Sequence, residues 1–116
     1  MTTIVLWVSN LDTSVKFYRA LFADQNPYVT DGFASVSNQD NEVLLHLLPE
    51  QFRGQPSLGE DNPIKPVFTV ASIDQAKIAA GQNGGRINGE TAEHGLWRYA
   101  DGTDPDGNVI QVRENI

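Results

Sequence analysis

The chain has no cysteine at any of its 116 positions. That excludes a disulfide scaffold, a thiol nucleophile and any thiolate metal site. Basic residues are scarce: eight Lys and Arg stand against 15 Asp and Glu, for a net charge of −7. A duplex nucleic-acid binder needs cations to displace counterions, and a membrane-surface protein needs a polybasic patch, so neither class is expected. No apolar run approaches the ~20 residues of a membrane-spanning helix. The first residues lack the basic stretch and apolar core of a signal peptide, so a cytoplasmic protein is expected. A hydrophobic content of 40% suffices for one packed core, and a charged content of 20% is too low for a disordered chain.

What is present reads as two similar halves. Ile4–Val8 is β-branched and aromatic, hence a strand. Asp12 is a suitable helix N-cap, and Val15, Tyr18 and Phe22 give the segment 13–22 one apolar face. Short strands are expected at Tyr28–Val29 and Phe33–Ser37, a turn at Asn38–Asn41, and a largely buried strand at Val43–Leu48. Residues 49–66 hold four of the six prolines and read as a connection. The pattern then restarts. Val67–Val70 is a strand, and Ser72 to Gln75 matches a capping box. A helix runs to about Asn83, where Gly84-Gly85 ends it. Strands follow near Arg86–Asn88 and Leu96–Ala100. Asp104-Pro105-Asp106-Gly107 is a turn, and Asn108–Arg113 closes the chain as a strand. A shift of 62 residues places Val8 on Val70, Leu11 on Ile73 and Asp12 on Asp74. The fold class is therefore α+β: one domain over 1–116, with half-modules at about 1–48 and 65–116 and a linker at 49–64. Each half is too small to bury much surface alone. Two βαβββ halves would make a curved, cup-like mixed sheet with helices on its outer face.

Three segments carry a family resemblance: Val8-Ser9-Asn10-Leu11-Asp12 leading to Phe17-Tyr18, Phe68-Thr69-Val70 leading to Ile73-Asp74, and Asp104-Pro105-Asp106-Gly107-Asn108-Val109-Ile110-Gln111. They resemble the vicinal oxygen chelate superfamily, which includes glyoxalase I, extradiol dioxygenases and bleomycin-resistance proteins. The resemblance implies paired βαβββ modules around a cup, frequent dimers and, in catalytic members, a divalent metal held on the cup's inner face. The family's ligand positions would fall on Thr3, His46, Lys65 and Gln111. Only His46 and Gln111 are ligand-capable types, and an ammonium such as Lys65 offers no lone pair. A catalytic metal site usually draws about three protein ligands. The expectation is accordingly a metal-free member most like the bleomycin-resistance type, with no cofactor. If a divalent metal binds at all, His46 and Gln111 are its ligands.

Each candidate residue also has an ordinary structural reading. His46 is either a core histidine with its hydrogen bonds satisfied or a polar group facing the cup. Trp7 shares parity with Thr3 and Val5 and should face the cup, as should Trp97 and Tyr99 together; all three also suit plain core packing. Phe33 and Phe52 are further aromatic candidates. Lys65 pairs with an acid in the cup or is solvated. Gln111 and Arg113 contact a ligand or belong to the strand surface, where ion pairs add little. Glu90, Glu93 and His94 read as a solvated loop. Gly81–Gly85 lacks the Lys-Ser/Thr of a phosphate loop, and no Gly-x-Ser-x-Gly elbow occurs. The expected function is small-molecule binding by Trp7, Phe33, His46, Lys65, Trp97, Tyr99, Gln111 and Arg113. The ligand would be an aromatic or cationic compound such as an antibiotic, held by a homodimer. The alternative is a metal-dependent lyase, isomerase or dioxygenase with an atypical site whose third ligand is Glu93 or His94.

Overall fold

The computed structural model describes residues 1–53 and 62–116. The first half contains β1 (Thr2–Val8), α1 (Leu11–Phe22), β2 (Tyr28–Val29), β3 (Phe33–Ser37) and β4 (Asn41–Leu47). The second contains β5 (Val67–Thr69), α2 (Ile73–Gln82), β6 (Arg86–Ile87), β7 (Ala92–His94), β8 (Trp97–Thr103) and β9 (Val109–Asn115). Of the linker expected at 49–64, a single 3-10 turn at Glu50–Phe52 is seen, and residues 54–61 lie outside the described residues. Among the described residues, no helix is long and apolar enough to cross a membrane.

The halves form two mixed sheets, ordered β1-β4-β3-β2 and β5-β9-β8-β6, with β7 also paired to β8. In each, the strand before the helix runs parallel to the last strand of its half, and the other neighbours are antiparallel. Strand alternation buries one face of each sheet. Val8, Val43, Leu45, Ala34 and Val36 from the first sheet and Ile110, Val112 and Ala100 from the second join one core under the helices. Its centre is aromatic: Phe68 of β5 packs edge-on against Tyr18 and Phe22 of α1, with ring centroids 5.8 and 5.2 Å away. The two halves thus share a core.

Polar contacts also join the halves. The Asn41 side chain pairs with the backbone of Thr69 as another strand would: its Nδ2 donates to the Thr69 carbonyl at 2.8 Å and its Oδ1 accepts from the Thr69 N–H at 3.3 Å. The Asn38 amide donates to the same carbonyl at 3.1 Å. In the 104–107 turn, Asp104 is buried and its carboxylate accepts from the Tyr18 hydroxyl at 2.8 Å. It also accepts from the N–H groups of Asp106 and Asn108 and from the Asn108 amide. The Ser9 N–H donates to Asp106 at 3.2 Å. Burial, reinforced by the Asp104 carboxylate, holds the Tyr18 phenol well above its ordinary pKa. Burial likewise raises Asp106, against the lowering effect of the Ser9 N–H.

Three local expectations are corrected. The cap of α1 is Asn10, whose Oδ1 accepts from the Thr13 N–H at 3.0 Å, while Asp12 lies in the first turn. Leu11 is buried, so the helix begins early enough to bring it into the core. At α2, Ser72 caps Gln75 as expected, but the reciprocal bond from Gln75 does not form; the Glu114 carboxylate accepts from the Ile73 N–H instead. Glu93 and His94 lie not in a loop but on β7, an exposed edge strand fastened to β8 by the Arg98–Glu93 ion pair at 3.1 Å. The helix ends match expectation better. Gly84, at φ +87°, lets the Gly85 N–H reach the Ala80 carbonyl and terminate α2. Ala23 performs the same turn for α1 at φ 55° without glycine's freedom.

Candidate functional site

Each sheet keeps one face clear of the helices, and the sequence-predicted site residues collect on these two faces. On the first sheet, register places Trp7 of β1, His46 of β4 and Phe33 of β3 side by side. The His46 ring lies between the other two, 4.8 Å from Trp7 and 5.0 Å from Phe33, centroid to centroid. Tyr28, paired with Ser35 in the next row, reaches diagonally toward Phe33, with ring centroids 6.3 Å apart. Trp7 is 56% exposed, and His46 is half-buried on this open face rather than within the core. The neighbouring rows are Val5–Leu44–Ser35 and Thr3–Glu42–Ser37. Glu42 accepts from the Thr3 hydroxyl at 2.9 Å and the Ser35 hydroxyl at 3.3 Å.

On the second sheet, one row runs Val67–Gln111–Asp101, the next Thr69–Arg113–Tyr99–Ala92, and the last Asn115–Trp97–His94. Asp101 Oδ1 accepts from both the Lys65 ammonium and the Gln111 amide, each at 3.0 Å. This ion pair is half-exposed, so it orients these side chains more than it stabilises the fold. Arg113 lies over Trp97, with Cζ 3.8 Å from the ring centroid, and its Nε donates to the Thr69 hydroxyl at 3.0 Å. Beside this row is a cleft of about 450 Å³ lined by Asn88, Glu90, Thr91, Tyr99, Asp101 and Gln111 among others. A depression of about 430 Å³ between the end of α1 and the start of α2 contains none of the predicted site residues.

Trp7, Phe33 and His46 are therefore together on one sheet, and Lys65, Trp97, Tyr99, Gln111 and Arg113 on the other. Phe52 is exposed in the 3-10 turn after β4. Sequence reasoning missed Tyr28, Glu42 and Asp101. Counting back from His46 along β4 in steps of two finds Glu42; Tyr28 and Asp101 need the strand register, which the sequence does not print.

The side chains at the four ligand-equivalent positions do not suit a divalent cation. Thr3 offers a hydroxyl already donating to Glu42, Lys65 an ammonium and Gln111 an amide, both bound to Asp101. His46 alone has a good donor nitrogen. Among the described residues, no three His, Asp or Glu side chains gather closely enough to share a metal ion.

Two helix-backed βαβββ halves, each with an open face bearing aromatic and polar groups, define a glyoxalase-type α+β protein. The profile of the Glyoxalase/Bleomycin resistance protein/Dioxygenase superfamily matches residues 1–112, and the chain belongs to that superfamily. Among solved structures it is similar to a glyoxalase/bleomycin resistance protein from Albidiferax ferrireducens, at 22% identity and TM-score 0.73, covering 99% of this chain and 98% of that one. A glyoxalase/bleomycin resistance protein/dioxygenase family enzyme from Burkholderia phytofirmans is similar at 16% identity and TM-score 0.73, covering 98% and 97%. An integron cassette protein from Vibrio cholerae is similar at 20% identity and TM-score 0.64, covering 98% and 93%. At these identities the likeness concerns the fold. No curated protein matches the chain significantly.

Proposed function

We propose that this protein binds and sequesters a flat aromatic small molecule, in the manner of the bleomycin-resistance branch of its superfamily, without a divalent metal. The observation that carries the reading is the pair of open faces, one lined by Trp7, His46 and Phe33, the other by Trp97, Arg113 and Tyr99. Aromatic rings on a concave, half-hydrated surface stack on planar ligands and orient them through a few polar neighbours. Neither face is enclosed alone, so the cup is completed by a second copy of the chain in a homodimer. Metal-dependent lyase, isomerase or dioxygenase chemistry is the weaker alternative, because Lys65 and Gln111 are engaged with Asp101 and, among the described residues, no group of three His, Asp or Glu side chains forms around His46.

The test is fluorescence titration of Trp7 and Trp97 with a panel of flat aromatic compounds. Saturable quenching at micromolar concentration, weakened in Trp7→Leu and Trp97→Leu, is the expected result. Absence of saturable quenching across the panel would contradict the reading. A parallel calorimetric titration of chelator-stripped protein with zinc, nickel and manganese tests the alternative: micromolar binding abolished by His46→Ala would favour the metal enzyme.

A further inference from the structure

Three basic side chains belong to the open face of the second sheet: Lys65, Arg113 and, opposite Thr103 at the sheet's edge, the exposed Arg86. Lys65 is neutralised by Asp101 at 3.0 Å. Arg113 has no carboxylate partner among the described residues, yet it is held in place twice. Trp97 covers one face of its guanidinium at 3.8 Å, and the Thr69 hydroxyl takes its Nε–H at 3.0 Å. Among the described residues, the four N–H donors of Nη1 and Nη2 have no partner. Arg98, by contrast, lies on the other face of the sheet and bonds both Glu93 and Glu114 at 3.1 Å.

Resting on the proposed aromatic-binding cup, we infer that its ligand is an aromatic carboxylate, with Arg113 as the group that receives the carboxylate. A guanidinium fork matches a carboxylate in a bidentate geometry, and an orientation fixed in advance reduces the entropy lost on binding. Trp97 removes water from one side of the cation, which strengthens its attraction for an anion. Asp101 does not oppose this, because Lys65 and Gln111 already hold it; Glu90 lines the cleft from the far side of Tyr99 and is exposed. The same arrangement disfavours the cationic ligand that the acidic composition suggested, because such a ligand would bring its charge to Arg113.

The experiment is calorimetric titration with matched probes: 2-naphthoate against 2-naphthamide, and two further aromatic carboxylates against their carboxamides. Charge-assisted hydrogen bonds predict that the carboxylate binds about tenfold tighter or more, and that salt erodes the difference. Arg113→Gln is expected to remove the preference, so that each carboxylate binds no tighter than its carboxamide. The wild-type comparison stands even if that variant folds poorly. Equal binding of each pair would overturn the inference while leaving the aromatic cup intact. So would a preference that survives in Arg113→Gln, or a loss of dimer in that variant with no effect on carboxylate selectivity, which would assign Arg113 to a carboxylate of a second copy of the chain. If no probe of either kind binds, the proposed cup itself fails.

Discussion

Tyr18 on α1 donates to Asp104 in the β8–β9 turn at 2.8 Å, joining residues 86 positions apart in the chain. The phenol is fully buried within the aromatic cluster and the acid is nearly so. Tyr18→Phe removes this bond but leaves Asp104 its three other donors. A hydrogen bond to a buried charge is worth about 1.5–3 kcal/mol, and urea denaturation at pH 7 should show a loss in that range. The deficit should shrink in alkali. The folded phenol has a raised pKa, so its contribution is complete below the unfolded value near ~10 and is lost as pH rises above it.

Asp106 behaves in the acid range as Tyr18 does in alkali. Its folded pKa is raised, chiefly by burial. Its contribution to stability is therefore present below the unfolded carboxylate value and lost as pH rises through the folded one. Asp106→Asn keeps an oxygen to accept from the Ser9 N–H and removes the charge. The variant should gain stability relative to the parent between pH 3 and pH 7, measured as a difference of denaturation midpoints. A relative loss over that range would contradict the assignment.

Asn41 substitutes for a strand where the two sheets meet. Asn41→Leu keeps the branched shape and heavy-atom count of the side chain but strands the Thr69 N–H and leaves the Thr69 carbonyl to Asn38 alone. A cost of about 2 kcal/mol is expected from the unsatisfied groups, together with faster amide exchange at Thr69. An unchanged exchange rate would contradict the role of Asn41 as a stand-in strand for Thr69.

Gly85 is required for lack of space. A Cβ there would sit 2.6 Å from the Thr103 carbonyl oxygen and would also meet the Phe17 ring. Gly85→Ala should therefore cost about 2 kcal/mol or more through displacement of β8 or Phe17, read from the thermal midpoint.

Much of this architecture was legible in the residues because local chemistry decided it. Ser72 ahead of α2, Gly84 behind it and the Asp-Pro-Asp-Gly turn are all found where expected. Strand parity placed Trp7 with Thr3 and Val5 on the open face, and likewise paired Trp97 with Tyr99. What escaped depends on contacts between distant segments. Asn10 wins the cap over Asp12 because Leu11 must reach the core. β7 is three residues long and polar, so nothing in Ala92-Glu93-His94 signals a strand until Arg98 pairs with it. The engagement of Lys65 and Gln111 with one carboxylate was hidden because Asp101 is 36 and 10 residues from them in sequence.

We propose that the two open sheet faces of each chain become a binding cup only when two copies meet. Val5, Trp7, Tyr28 and Val67 all stand exposed on those faces, and clustered exposed apolar side chains mark interaction surfaces. Sedimentation equilibrium of the full chain at micromolar concentration tests this most directly. A species of twice the 12.7 kDa chain mass is expected, and a stable 12.7 kDa monomer at that concentration would contradict a cup shared between two copies.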